Sequence, residues 1–399
     1  MKKILLVAAS VTLLAAGCQK TEIVNPVGEP AMTFSTGMKK LTKAVGTADA
    51  ASDGMVNLQA QDFRVWAYGD FEDENTLNTK ELDEIYDGMA NLHVTYSEVK
   101  HATDTSKMVG SWLPAKEYYW PGVNKNLRFF AVSGANLGAD LSQTNVVSID
   151  INRTDSVTVS PTLTVNAFTV DHTNPNTDLM VADFVCQNQS KKEVELNFRH
   201  ALSKVEFLFK TLPGSDRDVF VQSLEVVGIN TTSTLTVTSV DTTDLGGKPI
   251  NFEWDTPTVP QTFADDYTGT ASDFPANVEY ITEEKEQTTE AGDTVKVKVQ
   301  KYPADTTVMK LTETAETFAT WLVMPQEITA GNAGDLQVKV LYVIGERQFE
   351  SIFTLGSDTL PSWESNQYVR YTITLAPNLI SFVPKVEDWD TATEKEFKN

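Results

Sequence analysis

Cysteine and histidine are scarce in this chain, which has 2 cysteines and 4 histidines among 399 residues. Neither a disulfide framework nor a cysteine metal site is expected from Cys18 and Cys186, because Cys18 lies in a lipidation motif and lipid on it would leave Cys186 as the single free thiol. Cys186 follows the apolar stretch 179–185, so we expect a buried, inert thiol. The histidines lack the close spacing of a local metal-ligand motif. They are His93, His101, His172 and His200.

Basic residues are also few: 32 Lys and Arg stand against 55 Asp and Glu, for a formal net charge of −23. This balance argues against nucleic acid and anionic lipid surfaces as partners. The acidic residues are spread along the chain, which indicates solubility. The densest run, 70–74, lacks the glycine and the twelve-residue loop of an EF-hand, so a solvated turn is favoured over a calcium site.

Motifs for catalysis are missing as well. The sequence has no Gly-x-Ser-x-Gly elbow and no glycine-rich phosphate loop. A glycosidase would need two carboxylates beside a cleft. With 55 Asp and Glu in the chain, the sequence does not exclude such a pair. The interpretation we favour is a structural protein with no catalytic residues, no metal and no cofactor.

The N-terminus carries an export signal. Lys2 and Lys3 precede the apolar run 4–16, which is shorter than the ~20 residues of a spanning helix. Small residues then lead into Cys18, as in a bacterial lipoprotein box. We predict a signal peptide over 1–17 and lipid on Cys18, which would hold the chain to a membrane. The alternative is an ordinary signal peptide followed by a chance cysteine.

A short strand and a basic joint follow. In 31–38, Met32, Phe34 and Met38 share one face, which suits a strand on a core. Next come Lys39, Lys40 and Lys43, and then small polar residues from Ala44 onward, which are typical of a segment open to proteases. A solvated linker is the alternative. A sheet that loses a strand exposes edges that pair readily with another strand.

The remaining chain alternates apolar and polar residues with a period of two, which predicts antiparallel β-sandwiches. About 380 residues remain after the leader, so two domains are expected, over 44–190 and 191–399. A short helix is predicted over 81–90 and an exposed hairpin over 280–302. The clearest alternating runs are 194–198, 205–209, 336–342 and 369–375.

The C-terminal stretch alternates too. Ile380, Phe382, Pro384 and Val386 share one face of an extended segment, with Trp389 beyond them. Such a segment could fill the groove of a neighbouring subunit, since backbone bonds supply affinity and alternate side chains fill pockets. We therefore predict a donor strand here.

A group of aromatic residues allows two interpretations: a platform on which sugars stack, or ordinary core packing, which is favoured. Its members are Trp66, Tyr68, Tyr118, Tyr119 and Trp120.

Several segments, in order, resemble the fimbrillin family of Bacteroidetes-type bacteria. One departure is 364–366, where the family often has glycine, and the hairpin at 280–302 resembles an addition. The similar segments are Tyr118–Gly122 with Leu127–Ala131, Asp178–Ala182, Val194–Val205, Leu322–Gln326, Trp363–Tyr371, Ile380–Phe382 and Val386–Trp389.

The resemblance implies two tandem transthyretin-like β-sandwiches of Greek-key type. It also implies an outer-membrane lipoprotein precursor that a trypsin-like protease cuts, with Lys43–Ala44 favoured and Lys39 and Lys40 as alternatives. The mature chain would then polymerise extracellularly with other pilus subunits by donor-strand exchange and support adhesion. The alternative is a lipoprotein that does not polymerise and binds surface glycans through its aromatic residues.

Overall fold

The structure is a computed structural model, and it describes most of the chain between residues 31 and 389. The described residues are 31–38, 58–59, 62–70, 84–100, 108–122, 125–134, 146–153, 159–172, 178–190, 193–239, 246–248, 250–267, 269, 271–288, 294–302, 304, 307–329, 336–377 and 379–389.

These residues form an all-β structure, as the alternating pattern predicts. The first strands are β1 Thr33–Met38, β2 Phe63–Asp70, β3 Leu92–Lys100, β4 Met108–Pro114, β5 Asn126–Ser133, β6 Val147–Arg153, β7 Val159–Thr169, β8 Met180–Ala182, β9 Phe184–Gln187, β10 Glu193–His200, β11 Ser203–Lys210 and β12 Val219–Thr238. The later strands are β13 Gly246–Lys248, β14 Asn251–Trp254, β15 Thr258–Asp266, β16 Thr282–Thr288, β17 Thr294–Gln300, β18 Met309–Lys310, β19 Glu316–Val323, β20 Gln326–Glu327, β21 Gln337–Ile344, β22 Arg347–Thr354, β23 Ser362–Trp363, β24 Gln367–Ala376 and β25 Leu379–Asp388.

The helix predicted over 81–90 is wrong for the residues described there. Within residues 84–90, which the structure describes, Tyr86–Gly88 form a 3-10 turn, and Ile85 before it bridges to Tyr68 of β2. Asp87 and Gly88 have φ values of 47° and 68°. A right-handed helix needs negative φ at every residue, so the backbone at these two positions prevents a helix although the apolar spacing suggested one.

The first sheet has nine strands in the order β13-β9-β5-β2-β3-β4-β1-β10-β8. β5 also pairs with β8, so the strands from β5 round to β8 close into a ring. The strands of the ring share one buried core. It includes Met32 and Phe34 of β1 and its approach, Phe63 of β2, Phe129 of β5 and Phe198 of β10.

Two further sheets pack over a second core. One has four strands in the order β19-β11-β24-β25, and the other is an eight-stranded sheet with β22-β21-β12-β7-β6 as its main path. Phe207, Trp321 and Tyr371 come from the smaller sheet, and Val221 and Tyr342 come from the larger one.

The two halves of the chain are interwoven. β10, which follows residue 190, lies in the first sheet between β1 and β8. β7, which precedes residue 190, pairs with the C-terminal part of the 20-residue strand β12. A third buried cluster, including Trp66, Phe130 and Leu235, joins these elements. The division into 44–190 and 191–399 stays a prediction.

Two local predictions are confirmed. Cys186 of β9 is buried. The segment 280–302 contains the two-stranded hairpin β16–β17, whose side chains are exposed or half-buried.

Candidate strand-exchange site

The predicted first strand is present and fills a slot in the first sheet. β1 runs parallel to β10, from Thr33 opposite Glu193 to Met38 opposite Phe198. On its other side it meets β4, with Phe34 opposite Trp112. β1 therefore closes the ring between two strands that do not pair with each other in the described structure.

The approach to β1 is also held by backbone contacts. Ala31 forms an antiparallel bridge with Tyr119, and the Met32 N–H donates to the Tyr118 carbonyl over 2.7 Å. The segment Tyr118–Gly122, which carries part of the family resemblance, thus supports the entry of the first strand.

Two side chains of this segment reach the core. Met32 and Phe34 are buried, and the Phe34 ring meets Phe63 and Phe129 edge-on, each with centroids 6.4 Å apart. Burying a side chain of this size contributes about 1.5–3 kcal/mol. β1 is consequently a plug with an apolar face, and its loss would empty two core pockets.

At Gly37 the backbone of β1 lies close to a side chain of β10. A Cβ at this position would lie 2.6 Å from Asn197 Oδ1 of β10. Any side chain here would require Asn197 to move, so glycine fits the observed packing.

The residues predicted for export and processing lie outside the described residues. They are Cys18, Lys39, Lys40, Lys43 and Ala44.

The predicted donor strand is the edge strand β25. It pairs antiparallel with β24 along its whole length, from Leu379 opposite Ala376 to Asp388 opposite Gln367. In the described structure its other edge faces no strand. Pro384, which has no N–H to donate, is tolerated in an edge strand.

Large apolar side chains of β25 are poorly buried. Ile380 and Val386 are 44% and 45% exposed, and Val383 on the opposite face is 57% exposed. Phe382 is half-buried and stacks on Tyr371 and Phe353, with centroids 5.0 and 5.3 Å apart. β25 thus depends on its backbone ladder and on Phe382.

The end of β25 is fixed by Trp389. Its ring stacks on His200 with centroids 3.8 Å apart, and His200 Nδ1 lies 2.9 Å from Asp178 Oδ2. All three side chains are buried. In the described structure the Trp389 Nε1 has no hydrogen-bond partner. A buried unmade hydrogen bond costs about 1–3 kcal/mol, so this anchor holds less firmly than its burial suggests.

The sequence could have indicated this anchor only in part. Asp178, His200 and Trp389 each fall in a segment with family resemblance, yet no spacing joins three positions so far apart.

Three members of the aromatic group are buried, which favours core packing over a sugar platform. Trp66 and Trp120 are buried, and Trp120 meets Phe129 edge-on at 6.0 Å. Tyr68 packs against Phe130 at 5.8 Å, and burial raises its pKa. Tyr119 donates its hydroxyl to Glu117 over 2.6 Å. Core packing therefore accounts for the tryptophans.

The histidines that the structure describes are dispersed. His93 Nε2 lies 3.2 Å from Asp62, and His172 stacks on Phe263 at 3.9 Å. Burial lowers the pKa of His172, while Asp265 and Asp171 oppose this shift. Within the described ranges, no three His, Cys, Asp or Glu side chains are arranged to hold a metal ion.

A family model described as Fimbrillin-like matches residues 42–389. The chain belongs to the fimbrillin-like family. Membership supports a role as a pilus or adhesion subunit at the cell surface. The family is a fimbrial structural family and not an enzyme family. Among the described residues, no helix has the length and apolar character required to span a membrane.

Solved structures similar to the chain include three from Bacteroides species. A fimbrial protein from Bacteroides vulgatus has 16% identity and a TM-score of 0.44, covering 90% of this chain and 99% of its own. A candidate cell adhesion protein from Bacteroides uniformis has 16% identity and a TM-score of 0.42, covering 91% and 98%. One from Bacteroides ovatus has 12% identity and a TM-score of 0.42, covering 90% and 98%. The comparison with curated proteins gave no match.

Proposed function

We propose that this chain is a non-catalytic fimbrial subunit precursor that polymerises by donor-strand exchange. The observation that carries the proposal is the position of β1, which lies between β4 and β10. Its Phe34, together with Met32 just before it, fills the core. Removing β1 would expose two unpaired strand edges and an apolar groove, and such edges pair with any suitable extended segment.

The donor in this proposal is β25 of the next subunit. It is an edge strand whose apolar side chains are mostly half-exposed, so leaving its own sheet breaks the ladder with β24, the stacking of Phe382 and the anchor at Trp389. The contact is head to tail and does not close, so repetition gives a filament.

The spacing of the side chains suggests one register. If β25 runs in the direction of β1 with Phe382 in the Phe34 pocket, Ile380 takes the place of Met32 and Val386 that of Met38. Lys385 then replaces Gly37, where a Cβ would meet Asn197 Oδ1 at 2.6 Å. Asn197 must therefore turn aside when the donor enters.

The earlier steps of the life history belong to the same proposal. The chain is exported with lipid on Cys18, reaches the outer membrane, and is cut by a trypsin-like protease after Lys43, Lys39 or Lys40. The mature fimbriae are extracellular and support adhesion, and their partners are other pilus subunits. The fold in this proposal is two tandem transthyretin-like sandwiches.

Limited trypsin digestion of the chain lacking residues 1–17 tests the proposal. We expect one early cut between Lys39 and Ala44, followed by SDS-resistant ladders. The variant K39Q/K40Q/K43Q should resist this cut and stay monomeric. Phe382→Ala should be cut normally and lose the ladder, whereas Val383→Ala, on the opposite face of β25, should keep it.

Early cutting that leaves only stable monomers would overturn donor-strand exchange. Ladders from the triple variant would overturn processing at these lysines.

A further inference from the structure

The hairpin β16–β17 is separate from the other sheets. Among the described residues, its two strands pair with each other and with no other strand. Val295 is 41% exposed, and Val297 and Val299 are half-buried. The outer edges of both strands are thus available to another molecule.

The base of the hairpin is fixed to the edge strand β22. Glu279 bridges to Arg347, and the Ile281 N–H donates to Gln348 Oε1 over 3.1 Å. On the returning strand, Lys301 Nζ lies 3.3 Å from Glu350 Oε2. The hairpin therefore has a firm base and exposed strands.

The two strands carry opposite charge. β16 holds Glu283, Glu284 and Glu286 with a single lysine, and β17 holds Lys296 and Lys298 with no acidic residue. The two strands together contain three Glu and three Lys, for a formal charge of zero in a chain of −23. The hairpin itself therefore adds no net repulsion to a contact with another copy.

Four of the six charged side chains of the hairpin lie on one face. Glu284 lies opposite Lys298, and Glu286 lies opposite Lys296. The other face carries the valines of β17 together with Glu283 and Lys285 of β16, which form an ion pair. A neighbouring strand that continues this sheet would place its own charged residues directly beside these.

We propose that the hairpin is a lateral contact site for a second copy of this chain. The outer edge of β17 pairs with the outer edge of β16 on a copy related by translation. In that arrangement the strands are antiparallel and lysines lie beside glutamates. A two-fold arrangement would instead place β16 against β16 or β17 against β17, with like charges adjacent, which is unfavourable.

The contact is small. A seven-residue strand edge buries far less than the about 1,200–2,000 Å² of a stable interface, so isolated copies stay apart. Many copies arrayed side by side add their contacts, and the association becomes measurable. The contact goes beyond the proposed strand exchange and does not require it.

Bead clustering with the uncut chain tests the proposal without any polymerisation. Cys186 is buried, so a biotin maleimide on the chain from Cys18 onward labels Cys18 and couples it to streptavidin beads. Wild-type beads should cluster at about 10 mM salt and disperse at about 1 M, where the screening length falls from ~30 Å to ~3 Å.

Charge reversal gives the decisive comparison. E284K/E286K beads alone and K296E/K298E beads alone should cluster about tenfold less, because repeated contacts multiply each loss. A mixture of the two should cluster again, since each hairpin edge then meets its opposite charge. E98K/E253K, with the same charge change at exposed positions elsewhere, should cluster like wild type.

A chain in which 282–300 is replaced by a Gly-Ser loop should not cluster, and an unchanged thermal midpoint would show that its core is intact. Dispersed wild-type beads at low salt, equal loss in E98K/E253K, or no recovery in the mixture would overturn the proposal.

Discussion

Trp389 stacks on His200 with ring planes 3° from parallel and centroids 3.8 Å apart. The contact joins the last residue that the structure describes to β10, the strand that holds β1. The donor strand and the plug therefore share a neighbour in the folded subunit. Release of Trp389 and removal of β1 would therefore both change contacts of β10.

Trp389→Ala should release β25. Truncating a buried tryptophan costs about 3–5 kcal/mol, and this cost falls on the end of an edge strand. Hydrogen exchange of the β25 amides should become faster while the amides of β11 keep their protection. Leu379→Ala, at the exposed opposite end, is the control and should leave exchange unchanged. Equal exchange in the two variants would contradict an anchoring role for Trp389.

Phe34→Ala should weaken the plug. Removing this buried ring leaves a cavity between Phe63 and Phe129 and should lower the free energy of unfolding by about 3–5 kcal/mol. Denaturant unfolding of the uncut chain measures the loss. Ser35→Ala, one residue along on the other face, should cost less than about 0.5 kcal/mol. A small loss for Phe34→Ala would mean that β1 does not support the core.

Asp183→Asn should destabilise the closure of the ring between β8 and β10. Arg199 Nε lies 2.7 Å from Asp183 Oδ1, and both side chains are buried. Removing one charge of a buried pair costs about 3–5 kcal/mol, because the other charge stays in the interior. Glu283→Gln breaks the exposed pair with Lys285 and should cost at most about 1 kcal/mol. Similar losses from the two substitutions in chemical unfolding would refute this account.

His172 should make the subunit sensitive to acid. Burial holds its pKa below the usual value, so the folded state takes up a proton less readily than the unfolded state. The stabilisation is present above the unfolded pKa of about 6.5 and is lost as the pH falls below it. His172→Phe keeps an aromatic ring against Phe263 and removes the titration. Below pH 6.5 the unfolding free energy of the His172→Phe variant should decline less than that of the wild type. Parallel pH profiles for the two proteins would exclude this role.

Much of the architecture follows from local pattern. The two-residue period of runs such as 194–198 and 205–209 comes from one buried face per strand, and Val194, Leu196, Phe198, Val205, Phe207 and Phe209 are all buried. The first strand was predictable for the same reason, because the alternating Met32 and Phe34 indicated a strand with one buried face.

The pairing of strands could not be predicted in this way. Periodicity identifies the buried face of a strand but not its partner, which is set by contacts far apart in the chain. β1 pairs with β10 across about 160 residues, and β12 pairs with both β7 and β21. The stack of Trp389 on His200 depends on the same long-range arrangement, so neither segment alone indicates it.

The most direct test of the central claim is capture of a free donor peptide. A peptide with the sequence 379–389 is added to trypsin-cut chain, and native mass spectrometry identifies what remains bound. We predict a one-to-one complex that has lost the fragment containing β1, and no complex with the Phe382→Asp peptide. Retention of the β1 fragment with no bound peptide, or equal binding of the two peptides, would contradict donor-strand exchange.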